Sequence, residues 1–528
     1  MSGIAAAGAD GGGRSAITPR WRNLSDAIFH YAAERPDAPA LLENDRRLSY
    51  AEFASLVGKA SLHLRDLGVG PGDRVGIALA NSADHLILFY GLMRVGAVPA
   101  EISPHATEAE RDALAEKFGL RLLFEEPDAR AHASQRTVWV DAGWRVMIAE
   151  RSGDWRHDDP EREDYLLGLS SGSTGVPKGV ATTHRQLLTR FRIMQTGLRD
   201  AQVYSPERPG TALLLASMSF SAFQYHAVYT MLSGGPLVLV PELQWPSDLI
   251  RAIRSWDDAV LFATPGMCRA FLAFARGRGH LLPRLRAIFS AGLPLFAAEK
   301  RAMIERVTPN FFDVYGSSAS GWISLLRPHE IAAHAESVGR VREGMQVEIV
   351  DRRGRPQPPG TVGHLRCRSP TSSTAYLVES DGTREEGFRE GWYYPGDLAS
   401  LDEAGYLYLR GRSSDLIARD GVEFLPNEVE AVLTAHASVM EAAVIGRPAH
   451  DGREEVVALV VTRGAPEHEA IAAHLRHHLP PPKRPSHIIY AKALPRTPNG
   501  KIDRVAVKRM AIQYADASRR PDSSADQR

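Results

Sequence analysis

Hydrophobic positions along the chain fall into three textures. Between residues 73 and 291, short apolar runs alternate with stretches whose apolar residues recur at helical spacing. Residues 74–79 form an apolar run, Leu86, Phe89, Tyr90 and Met93 follow at helical spacing, and residues 97–102 are apolar again. That order predicts strand, helix and strand, the repeating unit of a parallel sheet. The rhythm returns at residues 211–217, 236–241, 259–264 and 285–291, each followed by a helical-length stretch that is amphipathic or opens with Ser, Pro or Gly. After Val338 the runs shorten and turn signals crowd in at residues 351–354, 358–360 and 402–405, which predicts a smaller β-rich unit. From about Gly411 a third pattern begins, with helices predicted over 426–434 and 468–478 and strands over 442–445 and 456–461. The predicted fold class is α/β: a large N-terminal domain of α/β sheets plus a β-rich subdomain, then a small α+β C-terminal domain. The expected boundaries are 19–411 and 412–512, with residues 1–18 and 513–528 as flexible tails.

Composition narrows the function classes. At 528 residues the chain exceeds one ordinary core, so a sizeable multi-layer domain or two domains are expected. Lys plus Arg and Asp plus Glu both number 63, and no long basic run interleaves with aromatics, so nucleic acid is an unexpected partner. The two cysteines, Cys268 and Cys367, can neither staple a fold of this size nor build a multi-thiolate metal site, which fits a reducing cytoplasm. The longest apolar stretches, such as 212–215 and 237–240, are too short to span a membrane, and residues 1–15 lack a basic start and an apolar signal core. A cytoplasmic location without an integral membrane segment is expected.

The strongest local chemical signal is Ser170-Ser171-Gly172-Ser173-Thr174-Gly175-Val176-Pro177-Lys178-Gly179, just after the apolar run 165–169. Glycines let backbone amides approach an anion, the hydroxyls add donors, and Lys178 adds a point charge, so the stretch suits a polyphosphate. Its spacing is not that of a Walker loop, because no Gly-Lys-Ser/Thr follows at the required distance. A Ser/Gly stretch alone is as often a plain flexible loop; its company along the chain decides between the two.

That company consists of Leu48-Ser49-Tyr50, Asp313-Val314-Tyr315-Gly316-Ser317-Ser318, Gly391-Trp392 with Gly396-Asp397, and Gly411-Arg412-Ser413-Ser414-Asp415. Gly421 with Pro426 and Glu428, and Pro495-Arg496-Thr497-Pro498-Asn499-Gly500-Lys501-Ile502, complete it. In order and rough spacing these pieces resemble the acyl-adenylate-forming superfamily of acyl-CoA synthetases, aryl-CoA ligases, adenylation domains of peptide synthetases and luciferases. The resemblance runs from about Leu24 to Lys508. It implies ATP-dependent activation of a carboxylic acid to an acyl-adenylate, followed by transfer to a thiol, with ATP, Mg2+ and coenzyme A as the expected cofactors.

By that resemblance Ser171, Gly172, Ser173, Thr174 and Lys178 cradle the triphosphate, and Gly292 borders adenine. Tyr315 stacks on the base with Asp313 near its amino edge, and Ser318 lies in the same nucleotide-binding motif. Asp397 takes both ribose hydroxyls, as an acceptor-only carboxylate can, and Arg412 lies near the ribose. Lys501 is the implied catalytic residue of adenylation: an ammonium bridging the attacking carboxylate and the α-phosphate offsets the repulsion between two anions. Asp415 corresponds to a hinge about which the small domain turns between the two half-reactions, making that domain mobile, and Gly421 to the loop lining the pantetheine tunnel.

Three positions depart from the family pattern. Ala319 stands where a metal-associated Glu is usual, which predicts weakened magnesium binding and leaves the protein's metal ligands unknown. Pro395 replaces a common Thr, and Ala418 a frequent Lys. The stretch from Ser217 to His226 corresponds to the wall of the acyl pocket. It contains no acidic residue, so an α-ammonium group would be buried without a partner and an amino acid is an unfavourable substrate. Phe220, Phe223 and Tyr225 suggest an apolar, partly aromatic slot, with Ser221 or His226 bonding a ring substituent. An aryl acid is expected first and a medium-chain fatty acid next. The expected acceptor is coenzyme A; a separate carrier protein or an amine is the alternative, and an adenylate-binding protein of weakened catalysis is the alternative of another class. The oligomeric state is not legible.

Overall fold

The computed structural model describes residues 21–127, 136–153, 165–170, 178–240, 245–377, 387–448, 454–496 and 502–518. Ser171, Gly172, Ser173, Thr174 and Lys501, together with both predicted tails for most of their length, lie outside the described residues.

Among the described residues the large domain is built on two sheets. One has the spatial order Thr137–Trp139, Leu122–Glu125, Arg74–Ala78, Val98–Glu101, Tyr165–Ser170 and Lys178–Thr183. It is parallel except for its last pair, in which Ser170 stands opposite Lys178 across an antiparallel ladder. The other has nine strands, and its centre is the parallel set Phe311–Ser317, Ala287–Ser290, Val260–Ala263, Ala212–Leu214, Leu237–Leu239 and Pro39–Glu43. The predicted βαβ runs therefore form parallel strands, but shorter ones. Ala212–Leu214 covers less than half of the run 211–217, because the chain leaves the ladder early and continues as the loop that leads to Phe220.

The helices Ala83–Arg94 and Ser221–Ser233 are buried on almost every side, the first from Ala83 to Met93 and the second from Phe223 to Ser233. A helix apolar all round belongs inside a protein, and one continuous core joins their side chains to Val75 and Ile77 of the first sheet and to Leu214, Val260 and Phe289 of the second. Ser49 caps the helix Tyr50–Asp66 through a reciprocal capping box with Glu52. Thus the motif Leu48-Ser49-Tyr50 is a helix start.

The β-rich unit is a six-stranded sheet over Gln346–Val350, Gly363–Arg368, Phe388–Arg389, Trp392–Tyr393, Asp397–Leu401 and Leu407–Arg412. The small domain packs helices on both faces of the sheet Val439–Pro448, Glu454–Thr462 and His487–Tyr490. Alternate residues decide the face: Val444, Val456, Ala458 and Val460 meet the helices Pro426–Thr434 and His468–His478, while Ala443, Ile445, Val457 and Leu459 meet Val507 and Ala511. Both helices keep their predicted bounds. The strands outrun theirs, because the ladder continues past the apolar runs to polar positions, with Glu441 opposite Val461 and Arg447 opposite Glu455.

Candidate active site

Three site residues far apart in sequence converge beside the strand Phe311–Ser317. Tyr315 lies within that strand, at a register shift against Gly321–Leu326, and its hydroxyl donates to Asp397 Oδ2 at 2.5 Å. Asp397 and Arg412 face each other across a ladder, with Arg412 Nε 3.2 Å from Asp397 Oδ1. Arg412 also donates to the carbonyl of Pro395, and Ser413 donates through backbone and side chain to the carbonyl of Gly396, whose φ of +81° a residue with a Cβ rarely adopts. Burial, and next the Asp397 carboxylate, push the Tyr315 hydroxyl well above its ordinary range, so it remains a proton donor.

Asp313 is directed elsewhere. It is buried, its Oδ2 lies 2.6 Å from Lys300 Nζ, and Lys300 donates also to the carbonyl of Ser337 at 2.7 Å. Burial pushes the Asp313 carboxyl up, and Lys300 opposes that shift. Lys300 escaped the sequence reading because a lysine between Glu299 and Arg301 on a short helix carries no mark of burial.

Gly292, expected to border adenine, follows the strand Ala287–Ser290 and meets the stretch expected to wall the acyl pocket. Its φ is +96°, and a Cβ there would lie 2.8 Å from Phe220 Cζ, so the ring closes directly over its backbone. Phe220 immediately precedes the helix Ser221–Ser233; Ser221 Oγ lies 2.8 Å from Ser318 Oγ, and Tyr225 donates to the Ser318 carbonyl at 3.2 Å. Phe223 and His226 point into the core instead. The Phe223 ring is buried against Phe220 and Phe262, and His226 is fully buried with Nδ1 2.5 Å from the Tyr204 hydroxyl. Burial pushes His226 down to about 4, which keeps it neutral.

Lys178 places its ammonium 5.1 Å from the centre of the Tyr376 ring. Asp415 ends the turn Ser413–Asp415, and its Oδ2 lies 3.3 Å from Arg504 Nε; Arg504 is held in addition by Glu430 and by the carbonyl of Val444. Gly421, at φ +76°, and Asp420, at φ +51°, are the two central residues of a hairpin turn that pairs Arg419 with Val422. Two successive positive φ values make this the turn whose twist suits a tight hairpin, and an added Cβ at Gly421 would meet nothing within 4 Å. Ala319 is 1% exposed, and its carbonyl accepts from Arg190. Among the described residues no cluster of three or more His, Cys, Asp or Glu side chains suits a metal ion, and no helix is long and apolar enough to cross a membrane.

Comparison with known proteins places the whole chain. The AMP-binding enzyme family matches residues 28–377, and the AMP-binding enzyme C-terminal domain matches residues 428–501. A fatty acid–[acyl-carrier-protein] ligase, ScoC, of Streptomyces coeruleorubidus is 26% identical over 504 residues, covering 92% of this chain and 95% of that protein. A feruloyl-CoA synthase of Amycolatopsis sp is 30% identical over 488 residues, covering 90% and 96%. ATP-bound MatB from Rhodopseudomonas palustris shares the fold with a TM-score of 0.81 at 22% identity, covering 93% of this chain and 98% of that one. With both parts of the pattern matched in order along most of its length, the chain belongs to the AMP-binding enzyme family and is an AMP-forming ligase that activates acids.

Proposed function

We propose that the protein converts an aryl carboxylic acid and ATP to an acyl-adenylate and pyrophosphate, then transfers the acyl group to the thiol of coenzyme A. The observation that carries the reading is the pairing of two half-sites on adjoining strand ends. Tyr315, Asp397 and Arg412 form a hydrogen-bonded cluster, read as the nucleoside site, while Phe220, Gly292, Ser221 and Ser318 form a small aromatic and hydroxylic wall, read as the acid site.

In adenylation the acid's carboxylate attacks the α-phosphorus, the bond to the β-phosphate breaks, and pyrophosphate leaves; thiolate attack on the acyl carbon then releases AMP. Asp397 orients the ribose, and Tyr315, held by Asp397, supplies a ring face for adenine. Lys501 and Lys178 carry positive charge to the carboxylate and the phosphates. Magnesium fits this chain only where phosphate oxygens and water supply most of its shell, since Ala319 brings no carboxylate; when bound it would neutralise phosphate charge. Ser221 and Ser318 offer hydroxyls to a ring substituent, and the stretch Ser217 to His226 offers no carboxylate to an ammonium group. Rotation about Asp415 would remove Lys501 and bring the Gly421 hairpin toward the adenylate for thiol attack.

Delivery to a carrier-protein thiol is the second reading, favoured by the likeness to a carrier-protein ligase over nearly the whole chain. Pyrophosphate exchange over a panel of benzoates, cinnamates, fatty acids and amino acids, followed by addition of coenzyme A or a carrier protein, tests both. Exchange with none of the acids, or with an amino acid alone, refutes the reading.

A further inference from the structure

Arg190 is the most deeply buried arginine near the site, at 5% exposure, on the helix His184–Gly197. Its Nε donates to the carbonyl of Thr371 at 2.9 Å and its Nη2 to that of Ala319 at 3.0 Å. Its Nη1 reaches the Tyr225 hydroxyl at 3.3 Å and the Ser318 carbonyl at 3.5 Å. The Arg190 side chain packs closely on Gly321, where a Cβ would come within 3.1 Å of Nε; Gly321 pairs with Ser317 at the far side of the turn. One planar fork thus joins three parts of the chain: the turn between Ser317 and Gly321, the helix that opens at Ser221, and the segment at Thr371. Arg342 stands beside it and donates to the Thr371 hydroxyl at 3.0 Å; burial, and next the charge of Arg190, push Arg342 down to about 10. Among the described residues neither guanidinium has a carboxylate partner. Buried arginine ordinarily pairs with an acid, so two arginines bonded only to carbonyls, hydroxyls and ring faces call for a reason.

We propose that Arg190 is a positioning residue of the acid site: its buried fork fixes the turn bearing Ser318 against the helix bearing Ser221, and so sets the width of the acyl wall. The proposal rests on the acid-activating function above. Five donors in one plane can hold the carbonyls of Ser318, Ala319 and Thr371 together with the Tyr225 hydroxyl, whereas an ammonium with three donors cannot reach all of them in one geometry.

The test compares wild type with Arg190→Lys, which keeps the charge and loses the fork, and Tyr225→Phe, which removes only the hydroxyl between Arg190 and Ser318. Amide hydrogen exchange should quicken across residues 317–322 in Arg190→Lys and less so in Tyr225→Phe. In pyrophosphate exchange the KM for the acid should rise about tenfold or more in Arg190→Lys, with the KM for ATP within about twofold of wild type. Unchanged amide exchange, or equal rises in both KM values with a fall in kcat, overturns the proposal. If no acid supports exchange in wild type, the functional reading fails, and the amide exchange still decides whether Arg190 holds the turn.

Discussion

Replacing Asp397 with Asn keeps the side chain's shape and removes its charge, so it isolates what the carboxylate does. A carboxylate has about four lone-pair sites, and in Asp397 Tyr315 engages one oxygen and Arg412 the other. The Arg412 side chain is 54% exposed, so its ion pair contributes at most about 1 kcal/mol to the fold. The Tyr315 bond is shorter and charge-assisted, and losing that assistance should cost about 1–2 kcal/mol of stability. The effect on nucleotide is larger. A carboxamide oxygen can accept from one ribose hydroxyl as a neutral group, while the amide nitrogen can accept from neither. One charge-assisted bond is lost and the other weakened, about 2–3 kcal/mol together, or about a 30- to 150-fold rise in the KM for ATP. Pyrophosphate exchange with ATP, 2′-deoxyATP and 3′-deoxyATP reads this directly. Wild type should discriminate against both deoxy nucleotides, and the Asn variant should lose discrimination at one hydroxyl and keep only a several-fold preference at the other. Equal discrimination in wild type and variant would show that the ribose finds its acceptor elsewhere.

Lys501→Ala should nearly abolish adenylate formation while a supplied acyl-adenylate is still converted to thioester, and Asp415→Pro should do the reverse because it fixes φ at the hinge; equal loss of both half-reactions in either variant refutes that assignment. Ala319→Glu should lower the magnesium concentration needed for half-maximal exchange, and should lower Tm as well because residue 319 is 1% exposed; an unchanged magnesium titration counts against a metal role for that position. His226 binds its proton less readily folded, at about 4, than its ordinary 6.5, so the unfolded chain takes up the proton first and stability falls as pH drops through that window. Between pH 7 and pH 5 wild type should lose about 2 kcal/mol more unfolding free energy than His226→Gln in urea melts, and parallel losses would exclude His226 as the cause.

Much of the architecture could be read before any coordinates, wherever burial made the pattern periodic. The helices Pro426–Thr434 and His468–His478 match their predicted bounds because amphipathic spacing and a leading Pro mark their limits. The short parallel strands were placed correctly but too generously, since apolar loops that feed a site look like strand in one dimension. Motif order brought Tyr315, Asp397 and Arg412 forward, and these three meet. Spacing along a helix could not separate Ser221, which faces Ser318, from Phe223 and His226, which turn into the core; in a helix buried on every side the polar and apolar positions cease to mark its faces. Lys300 and Arg190 were invisible for another reason. Each has another basic residue within two positions that is not buried, and the carbonyls that justify its burial lie far away in sequence.

The contact of Arg504 with Asp415 has a consequence for timing. Arg504, Glu430 and the Val444 carbonyl belong to the small domain, whereas Asp415 sits on the connection to the large one. A turn of the small domain about that connection must either drag this ion pair along or let it go. Both side chains are over a quarter exposed, at 29% and 26%, so the contact contributes about 1 kcal/mol or less. In the proposed turn about Asp415 it would therefore act as a detent rather than a bolt: strong enough to favour one orientation a few times over the other, weak enough that a leaving pyrophosphate or an arriving thiol could tip the balance in every cycle.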